Sequence, residues 1–327
     1  MDNLRQLTTT ESQALEVIAP STYALEAQAS ISGELAQRWL AYIDRTPKTI
    51  STYNKAIKLF IHYLQERGIA APSRETILEY KRDLAARGIK ASSINNYLIA
   101  IRQFFSWLDM EGIYKDITRN IHGEKIAKGH KKDYFTIPQC KELLGKIDRS
   151  TLQGKRDFAL VFLLMTDGLR TIEINRANIE DIGTMGGYSV LFVQGKGRAD
   201  KTDFVKLPTA TEQYIREYLA ARGETDGKAP LFTSLSHRTA GQRMSTRAIS
   251  AIAKETMRAA GFNDSRHTAH SLRHSTATNA LLLNGGNIRQ AAQLLRHEST
   301  TTTEGYAHDL DKMNNNCADL IAAALID

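Results

Sequence analysis

Cysteine is nearly absent: Cys140 and Cys317 are the only two in 327 residues, and they stand far apart. That excludes a disulfide framework and any cysteine-based metal pattern, and it points to a reducing compartment. No metal and no other cofactor is expected. Long apolar runs are missing too. The longest strongly apolar stretch, FALVFLLM at 158–165, falls well short of the roughly 20 residues that span a bilayer. The opening MDNLRQLTTTESQALEV has no basic segment followed by an apolar one, so no secretory signal is expected. These absences predict a cytoplasmic protein with no membrane partner. Internal repeats are lacking as well, and the only low-complexity tract is a run of threonines.

Positive charge is in excess. Lys and Arg number 43 against 36 Asp and Glu, a net charge of +7. The excess is uneven, because residues 1–30 hold one base (Arg5) and four acids (Asp2, Glu11, Glu16, Glu26). A basic body suits a polyanionic partner, nucleic acid first; simple solubility is the alternative. The 42% hydrophobic and 24% charged fractions are those of a globular chain, and the length suits two domains.

The apolar spacing is mostly helical. Thr46 and Pro47 open a helix in which Ile50, Tyr53, Ile57, Phe60, Ile61 and Leu64 share one face, and Gly68 ends it. Ile94, Tyr97, Leu98, Ile101, Phe104, Phe105 and Leu108 repeat the pattern up to Gly112. Helices at about 74–87 and 33–43 complete a four-helix unit. Residues 113–134 lose the period and gain lysines, as a basic linker would. Beyond 135 the chain reads as helices near 211–221, 246–260, 271–284, 286–295 and 311–325. One β signal interrupts them: YSVLFVQGKGRADKTDFVKLP alternates around a Gly/Asp-containing turn, as a hairpin does. The fold class is therefore mainly α with a small β-sheet or hairpin.

Four short stretches carry candidate chemistry. TDGLRTIEI places Arg170 after a Gly-Leu turn. The hairpin holds Lys196 in GKG. HSLRH sets His270 and Arg273 one helical turn apart. LLRHESTTTTEGYAH sets Tyr306 nine residues after His297. Singly, each has a bland reading: a surface arginine, a solvated lysine, a packed tyrosine. Their order and spacing carry the information.

In that order, and in the near residue-for-residue match of HSLRHSTATNALLLNGGNIRQAAQLLRHESTTTTEGYAH, the chain resembles the tyrosine recombinase (phage integrase) family, and its two-domain Xer-like members in particular. The resemblance covers roughly residues 33–325. Residues 1–30, weakly periodic and rich in small polar residues, read as a mobile or short helical arm, and 115–134 as a basic linker; the resemblance implies an N-terminal four-helix, SAM-like core-binding domain at 31–114 and a catalytic domain at 135–327. A C-terminal helix, 311–325, would dock on a neighbouring protomer through Leu320, Ile321, Ala324 and Leu325; packing in cis is the alternative. The resemblance further implies Arg170, Lys196, His270, Arg273 and His297 as catalytic residues, Tyr306 as the nucleophile, and Glu173 as an acidic residue that supports the site. Double-stranded DNA would be the substrate, four protomers would act on two sites, and strands would exchange through a 3′-phosphotyrosine intermediate and a four-way junction. Lys48, Lys55, Lys58, Lys90, Arg102, Lys128, Lys131, Lys132 and Arg296 are candidate DNA contacts. Two departures stand out. Arg296 occupies a position that is usually glycine in the family, and the hairpin turn is longer than in the simplest Xer proteins, which makes Lys201 the alternative to Lys196. A non-catalytic DNA-binding protein of the same fold and a type IB topoisomerase are the competing readings.

The chemistry needs these residue types. Two guanidinium groups can neutralise the non-bridging oxygens of a phosphodiester as charge builds in the transition state. A tyrosine hydroxyl, with an ordinary pKa of about 10, needs a nearby base, for which His270 is placed. Lys196 can protonate the departing oxygen, and His297 can hold the phosphate.

Overall fold

The computed structural model describes residues 30–126, 134–195, 200–313 and 315–326. The expected N-terminal arm, apart from Ser30, lies outside them. The chain forms two compact units, one within residues 1–127 and one within 128–327.

The first unit contains helices α1 (Gly33–Tyr42), α2 (Pro47–Glu66), α3 (Arg74–Ala86) and α4 (Ala91–Met110). Local chemistry starts them. Ser32 accepts a hydrogen bond from the Leu35 amide, Thr46 accepts one from Thr49, and Ser73 and Thr76 cap each other reciprocally. The apolar faces read from the sequence meet in one core. Ile57, Phe60, Leu64, Ile94, Leu98, Ile101, Phe104, Phe105 and Leu108 are all buried, with Trp39 stacked on Tyr53. The expected linker is corrected over its first half. Tyr114 and Ile121 belong to this core, and the Tyr114 hydroxyl donates to the Pro72 carbonyl at 2.7 Å. Asn95 clamps Glu124 from both sides, donating to its carbonyl at 3.0 Å and accepting from its amide at 2.6 Å.

The second unit is built on α6 (Leu152–Thr166), which follows α5 (Ile137–Gly145). The apolar run noted in the sequence forms this central helix. Ala159, Leu160, Val161, Leu163 and Leu164 are fully buried, because neighbours cover the helix on several sides. A short helix α7 (Thr171–Arg176) leads to an antiparallel sheet of β1 (Ile182–Met185), β2 (Tyr188–Val193) and β3 (Asp203–Lys206), in the order β1-β2-β3. Ile182 pairs with Leu191, and Leu191 with Val205. The expected hairpin is β2 and β3. Strand β1 is an addition, joined to β2 by Gly186-Gly187, both at positive φ, a two-residue turn that suits a tight hairpin.

Helices α8 (Thr209–Arg222), α9 (Thr246–Ala259), α10 (Ala269–Leu283) and α11 (Ile288–Leu295) follow. The single C-terminal helix expected at 311–325 is corrected to two, α12 (Thr301–Met313) and α13 (Cys317–Ile326). Asparagines separate them, and the Asn315 side chain accepts from the Cys317 amide at 2.9 Å, a local bond that competes with helix continuation. Helices α10, α11 and α12 enclose a small core of Ala277, Leu281, Ala291, Leu295, Tyr306 and Leu310.

Candidate active site

Arg170 stands where α6 turns into α7. The turn needs Gly168, whose φ is +55° and where a Cβ would press on Leu295 and Thr276. Glu173, in the first turn of α7, reaches back to the Arg170 amide at 2.7 Å and to its Nη1 at 2.9 Å. One carboxylate thus caps the helix and orients the guanidinium. Glu173 is 1% exposed and Arg170 33%, so the arginine reaches outward from a buried acid.

On α10, His270 and Arg273 line one cleft of about 740 Å³ together with Arg170. Arg273 is 4% exposed. Its two terminal nitrogens donate to the carbonyls of Gly168 and Leu295. Those carbonyls lie two residues before Arg170 and two before His297, so Arg273 ties together the turns that carry both.

Helix α11 ends in a left-handed turn. Arg296 has φ +52°, its amide donates to Gln293 at 3.0 Å, and the His297 amide donates to Ala292 at 3.0 Å. This Schellman geometry aims His297 toward α12, where its Nδ1 meets the Thr303 hydroxyl at 2.9 Å. Arg296 itself was a candidate DNA contact. Its side chain is instead turned inward, 6% exposed, with Nη2 on the Glu173 carboxylate at 2.9 Å. His297, Arg296, Glu173 and Arg170 line a second cleft of about 450 Å³. Tyr306 lies on α12, buried, with its ring edge-to-face against His274 at 4.5 Å.

Electrostatics bind the group together. Burial, and then the charges of Arg170 and Arg296, push the Arg273 guanidinium down to about 9, still charged at neutral pH. Burial raises the Tyr306 hydroxyl above its ordinary value, and the Arg273 charge pulls the other way. Burial, and then Arg273, Arg170, Arg296 and His270, push His297 down to about 4, so it is neutral across the physiological range. This has a measurable consequence in the DNA-free protein. Unfolded His297 takes up its proton near pH 6.5 and folded His297 only near pH 4. Between those values the unfolded state binds more protons, so stability falls as pH falls through the window. The melting temperature of His297→Gln should decline less steeply from pH 6.5 to pH 4 than that of the wild type; equal slopes would remove His297 as a contributor.

The fold therefore brings together Arg170, Glu173, His270, Arg273, His297 and Tyr306. Lys196 lies outside the described residues, as do Lys128, Lys131 and Lys132. The alternative lysine, Lys201, is engaged, with its Nζ 2.5 Å from the buried Asp181 carboxylate. In the first unit Lys48, Lys55, Lys58 and Lys90 are exposed. Arg102 is half-buried and donates to the Ile121 carbonyl, a packing role rather than an outward one. Sequence reasoning missed His274, Thr303 and Arg247. The first two reveal themselves only through contact with Tyr306 and His297; Arg247, exposed, lines the larger cleft. Among the described residues no cluster of His, Cys, Asp or Glu is placed to hold a metal ion, and no helix is long and apolar enough to cross a membrane.

Comparison with known proteins gives a consistent result. Residues 134–313 match the model of the phage integrase family, and residues 36–112 match that of the phage integrase N-terminal SAM-like domain. The tyrosine recombinase XerA of Pyrococcus furiosus is 32% identical over 85% of this chain and 90% of its own length. A tyrosine recombinase of Synechococcus elongatus is 26% identical over 86% of this chain and 91% of its own. Among solved structures, the XerH site-specific recombinase bound to a palindromic difH substrate shares the fold with a TM-score of 0.67, at 21% identity over 83% of this chain and 80% of that one. A lambda integrase dimer on a core site superposes with a TM-score of 0.65, at 19% identity over 86% and 78%. With both halves matched and a relative above 30% identity along most of its length, the chain belongs to the phage integrase family.

Proposed function

We propose that this chain is a site-specific tyrosine recombinase that cleaves and rejoins double-stranded DNA through a 3′-phosphotyrosine intermediate. The observation that carries the reading is the convergence of Arg170, His270, Arg273 and His297 on two clefts that share Arg170, with the Arg273 charge acting on the Tyr306 hydroxyl.

In this reading Arg170 and Arg273 hold the non-bridging oxygens of the scissile phosphate. The role assigned to His297 is to donate from Nε2 to the phosphate, which requires the tautomer in which Nδ1 accepts from the Thr303 hydroxyl 2.9 Å away. His270 takes the Tyr306 proton. The Tyr306 oxygen bonds to phosphorus, the bond from phosphorus to the 5′ oxygen breaks, and that oxygen takes a proton from Lys196. The pairing of Lys201 with Asp181 supports Lys196 over Lys201 for this role. The phosphotyrosine preserves the bond energy, so a 5′ hydroxyl from a partner strand can reverse the step without ATP, and two rounds pass through a four-way junction. Lys48, Lys55 and Lys58 supply outward charge for the DNA backbone, which makes affinity salt-dependent. Assembly as a tetramer is part of the reading. Helix α13 supports it, because none of its residues is buried and Leu320, Ile321 and Leu325 are exposed. A cytoplasmic location also fits two unpaired cysteines. The gathering of Arg170 and Arg273 on one cleft, with Arg273 acting on Tyr306, argues against a purely DNA-binding role, which has no use for a nucleophile.

The test begins with Tyr306→Phe protein as bait to select a binding site from random-sequence duplex DNA. That site is then nicked beside the cut position so that the released strand diffuses away. Wild-type protein should form a complex that survives denaturing electrophoresis. Tight binding without any such complex would refute strand cleavage.

A further inference from the structure

Arg296 sits in a turn that does not need it. The Schellman turn at the end of α11 requires a left-handed residue, and glycine meets that requirement without strain. Arginine at φ +52° does not. The side chain is also buried at a cost, since Nε has no hydrogen-bond partner among the described residues. A strained backbone and an orphaned buried donor are tolerated together where a side chain serves the site.

What the side chain does is specific. Nη1 donates to the Leu294 carbonyl at 2.9 Å, which fixes the guanidinium, and Nη2 donates to Glu173 at 2.9 Å. Glu173 is the acid that orients Arg170 through two bonds of its own. Without Arg296, Arg170 and Glu173 form a neutral pair, and much of the Arg170 charge is spent on its own support. With Arg296 the trio is a net cation. Since Arg296 is 6% exposed and Arg170 is 33% exposed, the surplus charge emerges at Arg170. Burial pushes the Glu173 carboxyl up, but the Arg296 charge, followed by the bonds from Arg170, outweighs it and holds the group below its usual range. Arg296 also pulls down the neighbouring buried Asp167, which burial has raised to about 6.

We propose that Arg296 is a positioning residue for strand cleavage: it neutralises Glu173, so that the charge and orientation of Arg170 are directed at the scissile phosphate. This rests on the recombinase reading above.

The experiment uses the selected nicked duplex and full-length protein. Arg296→Gly keeps the turn and relieves its strain, which offsets part of the loss of the buried partner of Glu173, so it should stay folded and melt modestly below the wild type. Its DNA affinity should be unchanged, and its rate of covalent-complex formation at saturating DNA should fall on the order of 10- to 100-fold, the scale of a small misplacement of a catalytic group. Glu173→Gln should also be slow, and the double variant should be little slower than the slower single one, because the two residues act as a unit. A glycine variant that cleaves at the wild-type rate would reduce Arg296 to a tolerated turn residue. Loss of affinity in step with rate would make it a DNA contact, and strictly multiplicative losses in the double variant would separate it from Glu173; either overturns the proposal. Should the glycine variant fail to fold, Arg296→Asn, also at ease in the left-handed region, replaces it in the same measurements. Wild-type protein forms the adduct in every case if the recombinase reading holds, so failure of that reading appears in the wild-type lane alone.

Discussion

Tyr306→Phe is expected to abolish the covalent protein–DNA complex while leaving the fold and DNA binding in place. The substitution deletes one oxygen. The ring, which packs with Leu295 and Leu310 and edge-on to His274, keeps its apolar contacts, so the small core of α10, α11 and α12 stays filled. The side chain is buried, and losing the hydrogen-bonding capacity of its one hydroxyl costs on the order of 1 kcal/mol in stability. In chemistry the loss is complete, because the phenylalanine ring has no oxygen with which to form the ester. Removing a nucleophile typically costs roughly 10⁴-fold or more in rate, below detection on a denaturing gel. Native gels should show wild-type affinity, since the oxygen is not part of the cationic surface that binds phosphate. A covalent band persisting with the phenylalanine variant would move the nucleophile to another residue; a large drop in melting temperature would mean that the hydroxyl has a structural partner of consequence.

The helices of the first unit were legible because their signals are local. Thr46, Pro47 and the spacing of Ile57, Phe60, Ile61 and Leu64 are near neighbours in sequence, and the same residues cap and bury the helix. The first half of the linker region behaved differently. Residues 115–126 show no apolar period, yet Asn95 and Lys81 bond to Glu124 and His122, and such polar anchors leave no periodic trace. Helix α12 was hidden by its threonines, which are β-branched and poor helix formers; burial of Thr303, Tyr306 and Leu310 against α10 and α11 overrides that propensity. The candidate site was legible by residue order, through family resemblance, and not by physics. Nothing local places Arg273 on the carbonyls of Gly168 and Leu295, or turns Arg296 inward. That direction follows from a left-handed φ, which the sequence pattern disguised by putting arginine where glycine is expected.

The second large effect is expected at Arg273. Arg273→Ala should lower the rate of covalent-complex formation by roughly 10³- to 10⁵-fold, the range associated with a transition-state arginine, and should also lower stability, which separates it from Tyr306→Phe. The structural part follows from its two acceptors. With the guanidinium gone, the carbonyls of Gly168 and Leu295 lose donors inside a buried site, at about 1–2 kcal/mol each. One effect opposes this. Arg273 is crowded by Arg170 and Arg296, whose charges, after burial, push its guanidinium down, so deleting it relieves like-charge repulsion. The carbonyls should win. Their loss is local and buried, whereas Arg170 is one-third exposed and paired with Glu173, which weakens the repulsion through solvent and countercharge. A net loss of about 1–3 kcal/mol would lower the melting temperature by roughly 3–10 °C for a unit of this size. Calorimetry on the DNA-free protein measures that term, and the nicked duplex measures the rate. A variant that is slow yet melts with the wild type would mean that repulsion and hydrogen bonding cancel. A variant that melts early yet cleaves normally would remove Arg273 from the chemistry and leave it as a clamp between the turns of Arg170 and His297.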